Sequence, residues 1–230
     1  MRRSSYAAVL TSLLISITGS QARESTAASA VDNWPSWRGP TLSGAALKGQ
    51  PPTEWSETKN IRWKVELPGT GHSTPAVWGD RVYVMTAIPM GAEPAPPGPP
   101  SSEPGAPPAR GPRPKPTVTH QFAVIALDRA NGKTLWKTVV RQAIPHESGH
   151  STSSQVSSSP ITDGERIYAF FGSRGLYALD TAGKVIWQKE FGDMKTRNEF
   201  GEGASPALYG DTLVVNWDHE GDSFIVALDK

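Results

Sequence analysis

Cysteine is missing from this sequence of 230 residues. Its absence excludes disulfide bonds, a lipid-bearing cysteine behind a signal peptide, Cys-x-x-Cys-His haem attachment and thiolate metal sites. A domain built from this chain therefore needs a hydrophobic core that is large enough to hold it without covalent cross-links.

A strong charge of one sign is also missing, because 23 lysines and arginines face 22 aspartates and glutamates. Nucleic-acid-binding domains usually concentrate basic residues on one surface, so we predict no nucleic-acid partner. The most apolar stretch is Tyr6–Ile17, which is shorter than the roughly 20 residues that a membrane-spanning helix requires. We therefore predict no membrane span in the mature protein.

The N-terminus has the pattern of an export signal. Arg2 and Arg3 precede the apolar stretch, and Ser20-Gln21-Ala22 follows it with small residues at the two positions that a signal peptidase reads. We predict a signal peptide over residues 1–22 that is cleaved, and a mature protein in the periplasm or outside the cell. Residues 23–60 are predicted to be an extended N-terminal segment.

One internal segment is too rich in proline to pack. Pro89–Pro116 contains 12 of the 21 prolines, and proline removes amide donors and favours extended conformations. We predict a disordered, projecting loop here. A ligand for a proline-reading domain is the alternative.

A repeated phrase dominates the rest of the chain. IALDRANGKTLWK (Ile125–Lys137) returns as YALDTAGKVIWQK (Tyr177–Lys189) and begins again as VALDK (Val226–Lys230). Each copy follows a Pro step, a Gly/Asp turn and an alternating apolar run, as in SSPITDGERIYAFFG and ASPALYGDTLVVNWD. The spacing is 46 residues from Pro160 to Pro206 and 49 residues from Asp180 to Asp229, a period that is typical of a β-propeller with several short strands per blade.

Each unit is predicted to fold into four antiparallel strands. In the second unit the predicted strands are Ser157–Thr162, Arg166–Phe171, Gly175–Asp180 and Val185–Glu190. A half-buried strand has one apolar face, and the residues predicted to share that face are Tyr168, Phe170, Leu176, Ala178, Val185 and Trp187. Asp163-Gly164 and Asn131-Gly132 are hairpin signals, since glycine accepts the positive φ of a tight turn.

The phrase itself reads as a structural motif. Its Asp can accept amide hydrogens across the turn, its Gly permits the chain reversal, and its small Ala lets neighbouring sheets approach. Its Trp can fill the wedge between blades, where burying a large aromatic ring contributes about 1.5–3 kcal/mol. The residues of the motif are Ala126, Asp128, Gly132 and Trp136 in the first copy, and Ala178, Asp180, Gly183 and Trp187 in the second.

This spacing resembles the tryptophan-docking motif of the PQQ-like, or quinoprotein-like, β-propeller repeat family. The stretch Asp32–Pro40 resembles the lead-in of exported propellers of that group, and the resemblance covers about Trp34 to Lys230. It implies an all-β propeller of four-stranded antiparallel blades. The predicted parts are a closing strand at 61–67, blade 1 at 73–140 with the proline-rich insertion 89–116, blade 2 at 157–190 and a partial blade 3 at 204–230.

The strand count predicts an incomplete ring. The closing strand has no blade to close, and blade 3 lacks the outer strand that carries its tryptophan. Since related propellers have seven or eight blades, a ring would need on the order of 350–400 residues. We expect the 230 residues to be an N-terminal fragment with open sheet edges at both ends.

The resemblance implies that binding groups lie on loops at the mouth of the central channel. The candidate residues for this binding face are His72, His146, His150, Arg197, Asn198, Glu199, Asp218 and His219. Three interpretations are open for them: solvated surface, a binding surface for a protein, glycan or small molecule, and a catalytic or metal centre. His146 and His150 have the i, i+4 spacing of a helical metal pair, but Gly149 and the serines around them favour a loop.

Two functions follow from the resemblance. The first is a non-catalytic binding scaffold in the periplasm or cell envelope, similar to the propeller subunit of the outer-membrane barrel assembly machinery. The alternative is a quinoprotein alcohol dehydrogenase, which would need PQQ and a calcium ion held by Glu, Asn and Asp. No residue of this sequence matches those calcium ligands or the vicinal disulfide of such enzymes, so we predict no catalytic residues and no metal ligands. The cofactor-binding residues stay unassigned, and PQQ and calcium stay possible under the alternative. A hydrolytic or glycan-processing propeller has no Ser-His-Asp or paired-carboxylate pattern to support it.

Overall fold

The fold is known from a computed structural model, which describes residues 30–91, 115–150 and 152–230. These residues form eleven β-strands and two three-residue 3-10 turns, Gly172–Arg174 and Arg197–Glu199. The strands are β1 (Ala76–Trp78), β2 (Arg81–Pro89), β3 (His120–Asp128), β4 (Thr134–Ala143), β5 (Ile161–Thr162), β6 (Arg166–Phe170), β7 (Leu176–Asp180), β8 (Val185–Lys189), β9 (Ala207–Tyr209), β10 (Thr212–Trp217) and β11 (Phe224–Asp229). Among the same residues, no helix has the length and apolar character needed to cross a bilayer.

Each repeat folds as its own antiparallel sheet. Strands β1–β4 form blade 1 and β5–β8 form blade 2, each in chain order, and β9–β11 form three strands of blade 3. The prediction of an all-β propeller with four-stranded blades is confirmed. The proline-rich segment joins β2 to β3, and β2 extends one residue into its predicted range, because Pro89 pairs with His120. The predicted signal peptide and residues 92–114 of the insertion lie outside the described part of the chain.

Consecutive sheets pack face to face through two buried layers. The layer between blades 1 and 2 contains Tyr83, Phe122, Val124, Ile167, Phe171 and Tyr177. The layer between blades 2 and 3 contains Tyr168, Phe170, Leu176, Leu213, Val215 and Trp217. Blade 2 is therefore covered on both faces, and its strands β6 and β7 are buried almost throughout. The expectation of half-buried strands is wrong for these two, because a sheet between two others has no solvent face.

The tryptophan of blade 1 docks on the turn of the next copy of the phrase. The indole N–H of Trp136 in blade 1 donates to the carbonyl of Thr181 in blade 2 at 3.0 Å. Its ring lies over Gly183, where an added Cβ would stand 2.6 Å from the ring carbon Cδ2. Trp63 repeats the contact one blade earlier, since its N–H donates to the Arg129 carbonyl at 2.9 Å. The motif glycine thus provides the surface on which the indole packs, in addition to the positive φ of the turn.

A β-bulge places Val185 on the opposite face of the sheet from the one predicted. Ala178 pairs with Trp187, but the next residue, Leu179, pairs with Val185, so Ile186 is the extra residue of β8. A bulge changes the face on which the following side chains lie. Val185 therefore packs into the layer between blades 1 and 2, whereas Trp187 packs into the layer between blades 2 and 3. Blade 1 has a register shift at the equivalent place in β4.

The segment before blade 1 runs along the inner strands. The backbone of Trp34 exchanges two hydrogen bonds with Val77 of β1, at 2.9 and 2.7 Å. The next carbonyl, that of Pro35, accepts a hydrogen bond from the backbone N–H of Thr162 in β5 at 2.9 Å. Two adjacent residues thus connect the first strands of two blades. Residues 61–67 form no bridge with another described strand, and their role in closing a ring stays a prediction.

Candidate functional site

The strand order places five connections at the same end of the three blades. Because neighbouring strands are antiparallel, the connections β2–β3, β4–β5, β6–β7, β8–β9 and β10–β11 lie opposite the short hairpin turns. We call the surface formed by residues 144–160, 171–175, 190–206 and 218–223 the loop face. Most of the predicted binding residues belong to these loops.

His146 joins three loops at the centre of the loop face. Its Nε2 lies 2.6 Å from the Met194 carbonyl oxygen, and its Nδ1 lies 2.6 Å from Nη2 of Arg174. The same Nη2 donates to Asp193 Oδ1 at 2.9 Å. The Arg174 side chain is 13% exposed, so this connection lies mostly out of water. The β4–β5, β6–β7 and β8–β9 loops are therefore linked through one imidazole and one guanidinium.

A largely buried carboxylate lies beside this link. Glu202 Oε2 accepts a hydrogen bond from the backbone N–H of Ser173 at 2.6 Å, and Oε1 accepts one from the Ser173 hydroxyl. Burial raises the pKa of Glu202 above its ordinary value, and the Ser173 hydrogen bonds and the positive charge of Arg174 offset part of the rise. The carboxylate occupies the space that a side chain at position 172 would need, and Gly172 has a φ of +56°. Glycine is therefore required at this position.

Two further carboxylates fix the β8–β9 loop to the β4–β5 loop. Glu147 accepts hydrogen bonds from the backbone N–H of Thr196, at 2.9 Å, and from its hydroxyl. Glu199 Oε2 accepts one from the Ser148 hydroxyl at 2.9 Å. These acids are thus used to brace neighbouring loops.

The braced turn presents three side chains to solvent. Asn198 and Glu199 both have left-handed backbones, with φ of 54° and 53°, a conformation that costs energy in residues with a Cβ. Arg197 and Asn198 are exposed, and Phe200 is 49% exposed. The ring of His150 stands edge-on to Phe200, with 5.3 Å between centroids.

The remaining candidates lie nearer the edges of the face. His219 Nδ1 accepts hydrogen bonds from the backbone N–H groups of Lys195, at 3.2 Å, and Gly221, at 3.0 Å. Asp218 accepts one from the Ser223 hydroxyl at 3.0 Å. His72 is exposed, and its backbone connects to the β4–β5 loop through the Val156 carbonyl.

The structure therefore brings His146, Glu199 and His219 into one bonded series of loops, with His150 and Phe200 on its surface. His146 and His150 belong to a loop, as predicted, and contact different partners. Sequence reasoning did not single out Arg174 or Ser173. The signal that could have found them is a polar Ser-Arg pair in a loop of three residues between two apolar strands.

The cavity beside His146 is too small for an organic cofactor. Its volume is about 20 Å³, and its lining includes Glu147, Gln155, Arg174 and Glu202. Small-molecule pockets usually have roughly 300–1,000 Å³. Within the described ranges, no group of three or more His, Asp or Glu side chains could hold a metal ion. The residues around His146 therefore do not fit PQQ and calcium.

The fold and the loop face define a β-propeller whose loops at one end are joined by hydrogen bonds. The chain belongs to the PQQ-like propeller family described as "Outer membrane protein assembly factor BamB", whose model matches residues 52–228. None of the curated proteins matches the chain at a significant level.

Solved structures of two kinds of propeller are similar to the chain. BamB from Moraxella catarrhalis is 18% identical, with a TM-score of 0.40, over 73% of this chain and 40% of that one. The quinohemoprotein alcohol dehydrogenase ADHIIG from Pseudomonas putida HK5 is 16% identical, with a TM-score of 0.48, over 92% and 27%. The corresponding enzyme from Comamonas testosteroni is 13% identical, with a TM-score of 0.44, over 89% and 29%. The chain thus spans less than half the length of each.

Proposed function

We propose that this chain is part of an exported, non-catalytic propeller that binds a protein partner of the cell envelope through its loop face. The observation that carries the proposal is the use of the acids on this face. Glu147, Glu199 and Glu202 all accept hydrogen bonds from neighbouring loops. These carboxylates therefore hold the surface in place, and they are not free to act on a substrate. The family description, an outer membrane assembly factor, supports an envelope partner.

The surface that these hydrogen bonds hold in place has the composition of a protein-binding site. Arginine and aromatic residues contribute most to binding energy in protein interfaces, and Arg197 and Phe200 are exposed on the braced turn. A surface that is already ordered before binding loses less conformational entropy when the partner arrives. A glycan or small molecule is the other occupant considered, and it would lie on this face, because the adjoining cavity is small.

Site-specific photo-cross-linking in living cells tests the proposal. A photoreactive residue at Arg197 should cross-link one major envelope protein. The matched control is Lys184, another exposed cation, in the β7–β8 turn at the opposite end, from which we expect no such product. Equal cross-linking from both positions, or none from Arg197, would contradict the proposal.

A separate measurement tests whether the protein is non-catalytic. The full-length protein is incubated with PQQ and calcium and examined for quinone absorbance and dye-linked alcohol oxidation. We expect neither. A bound quinone that oxidises an alcohol would replace the scaffold with the dehydrogenase.

A further inference from the structure

The strongest unexplained feature of the loop face is the way in which His146 is held between two fixed groups. We propose that His146 is a pH-sensitive positioning residue, which orders the loop face while its imidazole is neutral and releases it when the imidazole is protonated. The inference deepens the proposed function and rests on it only for the biological use of the face.

The hydrogen bonds of His146 require one neutral tautomer. Arg174 has only donors, so Nδ1, which lies 2.6 Å from its Nη2, has to accept with a lone pair. Nε2 therefore carries the proton and donates it to the Met194 carbonyl, also at 2.6 Å. An imidazolium has no acceptor, so the charged form cannot make this pair of bonds.

Protonation would place two positive charges in direct contact. A proton on Nδ1 would point at the Arg174 guanidinium, and their repulsion would be strong because Arg174 is largely buried. The charged groups around the ring offer another arrangement. Asp193 Oδ1, which is bonded to Arg174, lies 3.9 Å from Nδ1, and Glu202 Oε1 lies 3.8 Å from Nε2. A protonated His146 would compete with Arg174 for Asp193.

This exchange of partners would affect the braced turn directly. Glu147 follows His146 and is the acid of the β4–β5 loop. It is hydrogen-bonded to Thr196, and Ser148 is hydrogen-bonded to Glu199. Asp193 and Met194 precede Thr196 on the other side of the connection. If the contacts of His146 open, the β4–β5 loop loses one of its links to the β8–β9 loop, which carries the turn that presents Arg197 and Phe200.

Histidine is the side chain whose charge changes most readily between neutral and mildly acidic pH. We therefore expect the loop face to be ordered at neutral pH and loosened in mildly acidic surroundings.

Amide hydrogen exchange of the full-length protein at pH 7.5 and 5.5 tests the proposal for His146. The measured rates are corrected for the intrinsic effect of pH on exchange. In the wild type, protection of residues 145–150 and 191–203 should fall about tenfold at pH 5.5, as expected for the loss of one charge-assisted hydrogen bond. In His146→Gln, whose amide can accept from Arg174 and donate to Met194 at both pH values, protection should not fall at pH 5.5. The control His150→Gln removes the other histidine of the same loop and should behave like the wild type. An equal loss in His146→Gln, or no loss in the wild type, would overturn the proposal.

A second measurement needs no substitution. Nitrogen NMR of the wild-type imidazoles at pH 7.5 should show His146 as the neutral tautomer with its proton on Nε2. A proton on Nδ1 at that pH would refute the mechanism. Because both experiments are done without a partner, they remain decisive even if no partner cross-links to Arg197.

Discussion

The indole of Trp136 lies directly on Gly183 of the neighbouring blade and donates a 3.0 Å hydrogen bond to Thr181. Thr138, two residues along β4, donates to the Gly183 carbonyl at 2.6 Å. One turn of the repeated phrase therefore receives both a ring and a hydroxyl from the blade before it. The stability of the blade 1–blade 2 junction should depend on this turn.

Gly183→Ala should destabilise the protein by about 3 kcal/mol, because the new Cβ would overlap the Trp136 ring and adopt an unfavourable φ of +87°. The measurement is the free energy of unfolding in denaturant. Gly210→Ala is the matched control, since Gly210 has a φ of +59° and open space around its Cβ position. It should cost only about 1 kcal/mol. Equal losses would contradict the docking contact.

The two parts of the tryptophan contact can be separated by substitution. Trp136→Phe keeps a ring and removes the N–H donor, so it should cost about 1 kcal/mol. Trp136→Ala removes the ring as well and should cost about 3 kcal/mol, the low end for a large aromatic because the side chain is half-buried. The measurement is the free energy of unfolding at equilibrium, monitored by the circular dichroism of the backbone because that signal does not depend on the substituted tryptophan. A Trp136→Ala loss below 1 kcal/mol would refute the role of the ring.

Glu202 should give the protein a specific pH dependence. Its pKa is raised by burial from the ordinary value of 4.5, so the folded state keeps the proton to higher pH than the unfolded state does. Stability from this group is therefore lost as the pH rises from about 4.5 through the raised value. Glu202→Gln keeps the shape without the charge and should gain in melting temperature relative to the wild type across that window.

The control for this prediction is Glu220→Gln, which changes an exposed carboxylate on the same face. Its difference from the wild type should stay nearly constant with pH. If Glu202→Gln and Glu220→Gln show the same pH dependence, the burial of Glu202 does not affect stability in the way described.

Export predicts a defined mature N-terminus. Intact-mass measurement of the protein from the periplasmic fraction should show a chain that begins at Arg23, after cleavage behind Ala22. Leu14→Arg interrupts the apolar stretch and should leave the uncleaved chain in the cell, whereas Ala28→Ser, beyond the cleavage site, should be processed normally. A wild-type chain that keeps residues 1–22 would contradict the prediction.

The repeated phrase was sufficient to predict the blades because hairpin signals and spacing are local properties of a chain. Asp128 and Asp180 accept turn amides as expected, at 2.8 to 3.1 Å. The face of Val185 was predicted wrongly, because a bulge depends on how two strands pair. The packing of Trp136 on Gly183 could be predicted only as a contact between blades, since the partner residue is 47 positions away.

The candidate site was less predictable for the same physical reason. Loops at one end of the blades could be grouped from strand order, but hydrogen bonds between loops depend on side-chain directions. His146 was proposed on the basis of its position in a polar loop. Its partner Arg174 is 28 residues away, and neither composition nor spacing connects the two.

The contact of Trp34 and Pro35 with two blades has a consequence for biogenesis. These residues are synthesised before both of their partners, and Thr162 follows Pro35 by 127 positions. The early segment therefore has no complete docking place until the inner strand of the second repeat is available. A chain interrupted before that strand would leave the Trp34–Pro35 segment without its partner in the second blade, in a state that chaperones and proteases can recognise.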